Sequence, residues 1–200
     1  MKILWNTIFL AVLIWSGIFP HDTLTWFLEV LPAIIGFGVI IATYKKFPLT
    51  PLVYGLILLH MIILMVGGHY SYAEVPLFNE IKDFFGSTRN NYDKLGHFAQ
   101  GFIPAIIMRE FLIRKSIFNS PKWRSFFTIC FCLAFSAFYE LTEWWAAISL
   151  GDGAEDFLGT QGYVWDTQSD MWYALVGSVL SLLLLSKFHD KQLSKIMEEK

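Results

Sequence analysis

Six long apolar runs divide the chain: Leu4–Phe19, Trp26–Thr43, Leu52–Gly68, Lys94–Ile113, Phe126–Ile148 and Asp170–Phe188. Each approaches the roughly 20 residues that about 30 Å of hydrocarbon demands, the third being the shortest fit. The runs are continuous rather than alternating and too long for tilted strands, so they predict helices and not a β-barrel. The expected fold is all-α: one polytopic membrane domain over residues 1–200, with six transmembrane helices in a single bundle. The first run follows Lys2 closely, as a signal peptide would. Ser16-Gly17-Ile18-Phe19-Pro20 offers no small-residue cleavage pattern, however, and the run is read as a span. Between the third and fourth runs, Phe78, Ile81, Phe84 and Phe85 recur at helical spacing among Glu80, Lys82 and Asp83. That pattern fits either a short helix in the outer interface or a loop folded over the helix ends.

Composition agrees with the pattern. The set AVILMFWYC makes up 55% of the 200 residues and the charged residues 16%, against roughly 25% charged in soluble domains. A formal net charge of −2 leaves no basic face for phosphates, which argues against nucleic acid as a partner. The lipid bilayer is the partner the sequence calls for. The placement of Lys and Arg sets the direction of the spans. Lys45 and Lys46 fall in one connection, Arg114, Lys115, Lys122 and Arg124 in another, and Lys187, Lys191, Lys195 and Lys200 in the tail. Pro20–Thr25 and Ser149–Ser169 carry neither residue, and only His69–Asp93 is mixed, with Lys82 and Arg89. Both termini are therefore expected in the cytoplasm. Cys130 and Cys132 point about 200° apart on a helix, too divergent to bridge, and read as small apolar fillers.

With direction assigned, the polar residues inside the runs fall on one side. Asp93, His97, Gln100 and Pro104 follow i, i+4, i+7, i+11, a single stripe on the fourth helix. Pro104 lacks an N–H, so the Gln100 carbonyl on that stripe loses its helical partner. On the fifth helix Glu140 and Glu143 share a face, about 12 and 8 Å below the outer end at Ile148. An isolated charge at that depth costs several kcal/mol, so a cation, a proton or a metal is expected beside them. Glu29, His69, Asp166 and Asp170 also belong to the outer half, whereas the inner half offers only Arg109, Glu110 and the mid-span His60. This asymmetry predicts one cavity opening outward. His97, Glu140, Glu143 and Asp93 are its candidate catalytic residues. His97, Glu140 and Glu143 are candidate ligands for one divalent metal ion. His69, Tyr70, Tyr72, Gln100, Gln161, Asp166, Gln168 and Asp170 are candidate substrate contacts.

Plainer roles compete at several positions. Asp166 or Ser169 can cap the sixth helix. Trp144, Trp145, Trp165 and Trp172 fit an interfacial belt, and His60 fits a packing hydrogen bond. Arg109 and Glu110 are expected to reach the inner interface along their own side chains. Gly151-Asp152-Gly153 reads as a turn, since its acids miss the calcium-loop spacing.

Three separated motifs carry a family likeness: Asn90-Asn91-Tyr92-Asp93-Lys94-Leu95-Gly96-His97-Phe98-Ala99-Gln100-Gly101-Phe102, Tyr139-Glu140-Leu141-Thr142-Glu143-Trp144, and Leu158-Gly159-Thr160-Gln161-Gly162 followed by Trp165-Asp166-Thr167-Gln168-Ser169-Asp170-Met171. In that order they resemble the YjdF-type family of bacterial inner-membrane proteins over nearly the whole chain. The family is a domain of unknown function, so the resemblance implies location and fold but no activity. A second likeness, over the last half, is to VanZ-like proteins, which are associated with low-level teicoplanin resistance. It rests on Asp93, Lys94 and His97, on Glu140 or Glu143, and on Asp170 with Gly177. The usual Asn and Arg of that pattern are not matched, Ala174 standing near the expected Asn.

Three functions remain open from the residues. The first is a metal-dependent or acid–base enzyme of the outer leaflet, acting on a lipid head group or a lipid-linked envelope precursor. The second is an ion-coupled transporter, which needs a polar route past His60. The third is an accessory or binding protein whose polar cluster holds the helices together. No HExxH, GxSxG or phosphate-cradling glycine loop names a reaction, and oligomeric state is not legible.

Overall fold

A computed structural model describes residues 2–150 and 161–198. Among them run seven helices: α1 (Lys2–Ser16), α2 (Thr23–Thr43), α3 (Pro51–Tyr70), α4 (Pro76–Phe84), α5 (Tyr92–Arg114), α6 (Pro121–Leu150) and α7 (Asp166–Glu198). No strand occurs among the described residues. The helix starts obey local chemistry. Proline opens α3, α4 and α6, where its missing N–H would be unsatisfied in any case. Asp22 caps α2 by accepting from the Thr25 N–H at 2.7 Å, which holds its carboxyl below the usual carboxylate range. Gly151-Asp152-Gly153 and the Leu158-Gly159-Thr160 part of the third motif lie outside the described residues.

Four helices are long and apolar enough to cross a membrane: α2, α3, α6 and α7. The expected first and fourth spans fall short for different reasons. Helix α1 stops at Ser16 and has 15 residues, about 22 Å of length. Helix α5 has the length, at 23 residues, but carries Asp93, Lys94, Arg109, Glu110 and Arg114. Only packing inside other helices lets such a segment sit in hydrocarbon. It has that packing, lying against α3, α6 and α7. The connection between α3 and α5 forms α4, the short helix that the Phe and Ile spacing allowed. Its Leu77, Ile81 and Phe84 are exposed, with Phe85 beyond its end.

The helices make two unlike halves joined along α3 and α5. Around α1, α2 and α3 the core is apolar, with Phe9, Val30, Val53 and Met65 fully enclosed. Trp5 supplies area there and satisfies its indole N–H on the Tyr54 carbonyl at 2.8 Å. The half built from α5, α6 and α7 buries Lys94, His97, Glu140, Asp166 and Asp170 alongside Ile103, Ile106, Leu112 and Leu193. Its tightest point is the crossing of α5 and α7. A Cβ on Gly101 would lie 1.8 Å from the Ala174 carbonyl oxygen, and one on Gly177 2.3 Å from the Phe98 carbonyl oxygen. Two backbones approach this closely only where both surfaces are bare, as in small-residue membrane crossings. Cys132 is buried and Cys130 exposed, as their opposed directions require.

Candidate functional site

The crossing of α5 and α7 decides what stands beside what at the end where both helices begin. Asp93, Lys94 and His97 on the first turns of α5 meet Asp166 and Asp170 on the first turns of α7. Lys94 is the hub. Its ammonium donates to the Asp166 carboxylate and to Asp170 Oδ1 at 2.6 Å, and lies 3.4 Å from Asp93 Oδ2. Arg89, just before α5, pairs with Asp93 at 3.1 Å and with Asp166 at 2.6 Å. These are the cations that the buried carboxylates required, and the sequence reading had not selected them for the site. The signal was present, since Lys94 stands between two of the residues it did select.

One turn deeper the arrangement opens. His97 Nε2 lies 3.4 Å from Asp93 Oδ1 and 3.5 Å from Glu140 Oε1. Its Nδ1 lies 3.2 Å from Gln100 Oε1. Both ring nitrogens thus face oxygens, an arrangement that a doubly protonated imidazole satisfies. Glu140 is 8% exposed, and its Oε1 is buried with no hydrogen-bond partner. Beside this pair is a cavity of about 30 Å³, lined by Glu29, His60, Tyr72, Asp93, His97, Gln100, Tyr139 and Glu143 among others. That volume suffices for water, with polar partners on several sides. Glu29 accepts from the Tyr139 hydroxyl at 3.2 Å. Tyr72 is wedged into place because both its neighbours lack side chains: a Cβ on Gly67 or Gly96 would lie 2.3 or 3.0 Å from its ring. Among the described residues no Lys or Arg lines the cavity. The polar residues at this end therefore divide into an ion-paired layer around Lys94 and an acid–His layer beneath it.

The structure sorts the sequence candidates. Asp93, His97, Gln100, Glu140, Glu143 and Tyr72 come together at the cavity or its wall. Asp166 and Asp170 belong to the ion-paired layer. The other four stand apart. His69 Nδ1 contacts the Ser16 carbonyl at 3.0 Å, and its ring packs against Trp15 and Tyr70, so His69 and Tyr70 join α3 to α1. Gln161 holds Asn90 at two points, accepting from its N–H at 3.0 Å and donating to its carbonyl at 2.8 Å. Gln168 is exposed on the first turn of α7. For cation ligands, one atom each of Asp93, His97 and Asp170 lies within 4.8 Å of the others. His97 and Glu140 of the expected trio are adjacent, and Glu143 shares their cavity. Glu29, His60 and Tyr139 were not among the candidates, because only packing shows that α2, α3 and α6 bring them to the same space.

At the opposite end the expectation for Arg109 and Glu110 fails. Glu110 is 0% exposed and does not reach an interface. It accepts from the Thr50 N–H at 3.1 Å and hydroxyl at 2.7 Å, from Arg114 at 2.7 Å and from His189 Nε2 at 3.0 Å. Arg109 donates to His189 Nδ1 at 3.0 Å and pairs with Asp190 at 2.6 Å. The reason is that α7 continues past Phe188 to Glu198, and this extension covers the end of α5.

The family model described as "Predicted membrane protein (DUF2238)" matches residues 1–191. "Inner membrane protein YjdF" of Escherichia coli (strain K12) is 53% identical over 184 residues, covering 92% of this chain and 88% of that protein. No solved structure matches the chain. The relative's description supports an inner-membrane location, and the YjdF-type resemblance of the three motifs holds. The chain belongs to the DUF2238 family of predicted membrane proteins.

Proposed function

We propose that this protein is a six-span inner-membrane enzyme with both termini in the cytoplasm, performing acid–base chemistry on a lipid head group or a lipid-linked envelope precursor at the outer leaflet. The observation that carries the reading is the contact of His97 Nε2 with the buried Glu140 Oε1 at 3.5 Å, with His97 itself lining a cavity shared with Asp93, Glu29 and Glu143. In the proposed roles, His97 donates or accepts the proton at the reacting group, with Glu140 as its partner and Asp93 orienting the ring. Glu143 and Glu29 line the cavity with carboxyl groups beside His97, and exposed α4 lies in the outer interface. The cations around Lys94 hold α5 against α7 and fix this geometry. Six spans follow if α1 and α5 cross with the help of their neighbours, and the Lys and Arg placement then puts the site outside.

A second reading, one divalent ion in place of the proton, is favoured by the convergence of Asp93, His97 and Asp170 ligand atoms. Lys94 at 2.6 Å from Asp170 competes for that position, which ranks the ion second. Incubating purified protein with an extract of bacterial envelope lipids, followed by mass spectrometry, tests both. Wild type should consume at least one lipid species, and His97→Ala or Glu140→Gln should slow this by about 10²–10⁴-fold, the usual contribution of a general acid or base. Elemental analysis of the same samples separates the readings: near-stoichiometric metal, lost in His97→Ala, replaces the proton mechanism with the ion. No consumption by wild type defeats the enzyme reading.

A further inference from the structure

Helix α6 has an unusual buried face. Among its described residues the buried ones are Thr128, Cys132, Ser136 and Glu140, an unbroken i, i+4 stripe with no hydrocarbon side chain in it. The remainder of the helix is apolar and largely exposed, as a lipid-facing surface is. A packing face in a membrane protein is ordinarily small or apolar, with hydroxyls satisfied on their own helix. Several helical hydroxyls of this protein do behave so. Thr142 donates to the Tyr139 carbonyl at 2.7 Å, Ser169 to Asp166 at 3.0 Å, and Ser178 to Leu175 at 2.7 Å. The hydroxyls of Thr128 and Ser136 on α6, and of Ser181 on α7, are buried and have no hydrogen-bond partner. All three residues are 0% exposed.

Their levels form a series. At 1.5 Å per residue, Ser136 and Thr128 lie about 6 and 18 Å inward of Glu140 along α6, and Ser181 about 17 Å inward of Asp170 along α7. Helix α6 packs on α5 and α7, so the stripe lies within that half of the molecule. At its outer end is the water-sized cavity of His97 and Glu143. At its inner end stand His189 and Glu110, about 29 Å inward of Asp170 and 26 Å inward of Asp93 along their helices. Three unsatisfied hydroxyls between two polar clusters have one inexpensive partner in a protein interior, which is water.

We propose that a file of bound water, held by Ser136, Ser181 and Thr128, joins the outer cavity to the Glu110–His189 cluster and conducts protons between the two faces of the membrane. Each transfer passes a proton from one oxygen to the next while the acceptor releases another onward, so no bond other than O–H changes and no co-reactant is needed. At the inner mouth the guanidiniums of Arg109 and Arg114 are paired with Asp190 and Glu110, so little net positive charge opposes a proton there. The path is independent of the proposed enzyme, because it rests on the hydroxyl stripe and not on a substrate.

Proteoliposomes with an enclosed pH dye and a potassium diffusion potential set by valinomycin read the flux. Wild type should change internal pH faster than empty liposomes, and Thr128→Val with Ser136→Ala and Ser181→Ala together should remove at least nine-tenths of the excess. Ser178→Ala, which removes a self-satisfied hydroxyl, should leave it unchanged. Thermal melts establish that each sample is folded, and where the triple variant is not, Ser136→Ala and Ser181→Ala singly carry the test. A wild-type rate equal to that of empty liposomes, or undiminished flux in the folded variants, overturns the path. Lipid turnover, measured in detergent without a gradient, is unaffected by either result, so the two proposals fail separately.

Discussion

Gly101→Ala, a single added methyl group, is expected to prevent recovery of folded protein. The new Cβ would stand 1.8 Å from the Ala174 carbonyl oxygen and 2.7 Å from the Ala174 Cα, so the obstacle is backbone and not a side chain that can turn away. Relieving it separates α5 from α7 and pulls Lys94 from Asp166 and Asp170. Ordinary overpacking costs about 1–3 kcal/mol, and this substitution should exceed that range because neither surface can yield. Gly38→Ala supplies the control. Nothing lies within 4 Å of a Cβ at that position on α2, and alanine is favoured over glycine in a helix by about 0.5–1 kcal/mol. Monodisperse protein and an unchanged or raised melting temperature for Gly38→Ala, with aggregated material for Gly101→Ala, is the expected pair of results.

Lys94→Met should be the most damaging change among the polar residues where α5 meets α7. It keeps the length of the side chain and removes the ammonium shared by Asp166, Asp170 and Asp93. Arg89 still serves Asp93 and Asp166, but Asp170, 3% exposed, loses its ion-pair partner. Removing one member of a buried pair costs about 3–5 kcal/mol, because the remaining charge is left uncompensated. The double change Lys94→Met with Asp170→Asn should recover a large part of this loss, which melting curves in detergent can measure. A single variant as stable as wild type would mean that Asp170 is neutral or hydrated without Lys94.

Much of the fold was legible from the chain because helices in hydrocarbon advertise themselves by length. The expected spans and the helices coincide in place, with ends shifted by a few residues except at α7. There the charged tail reads as a solvated end, and nothing local signals that His189 and Leu193 are buried. The grouping of Asp93, His97 and Glu140 at one end of the helices was also legible, since depth along a helix follows from counting residues. What the count cannot give is rotation. His69 and Asp93 lie at similar depth, yet His69 turns toward Ser16 on α1, while Glu29 turns into the cavity beneath Tyr139. Glu110 was misplaced for a related reason. A charged residue near a helix end usually reaches water, and only the backbone N–H of Thr50 and the tail of α7, brought in by tertiary packing, make burial affordable.

The account stands on the acid–His cavity opening outward, and side-specific thiol labelling tests this most directly. In a Cys130→Ala, Cys132→Ala background, Gln168→Cys places a thiol on the exposed first turn of α7 beside the site, and Lys195→Cys marks the other end of the same helix. A membrane-impermeant maleimide applied to intact spheroplasts should label Gln168→Cys and spare Lys195→Cys until the membrane is opened. The reverse pattern would put the His97–Glu140 cavity on the cytoplasmic face and contradict the account.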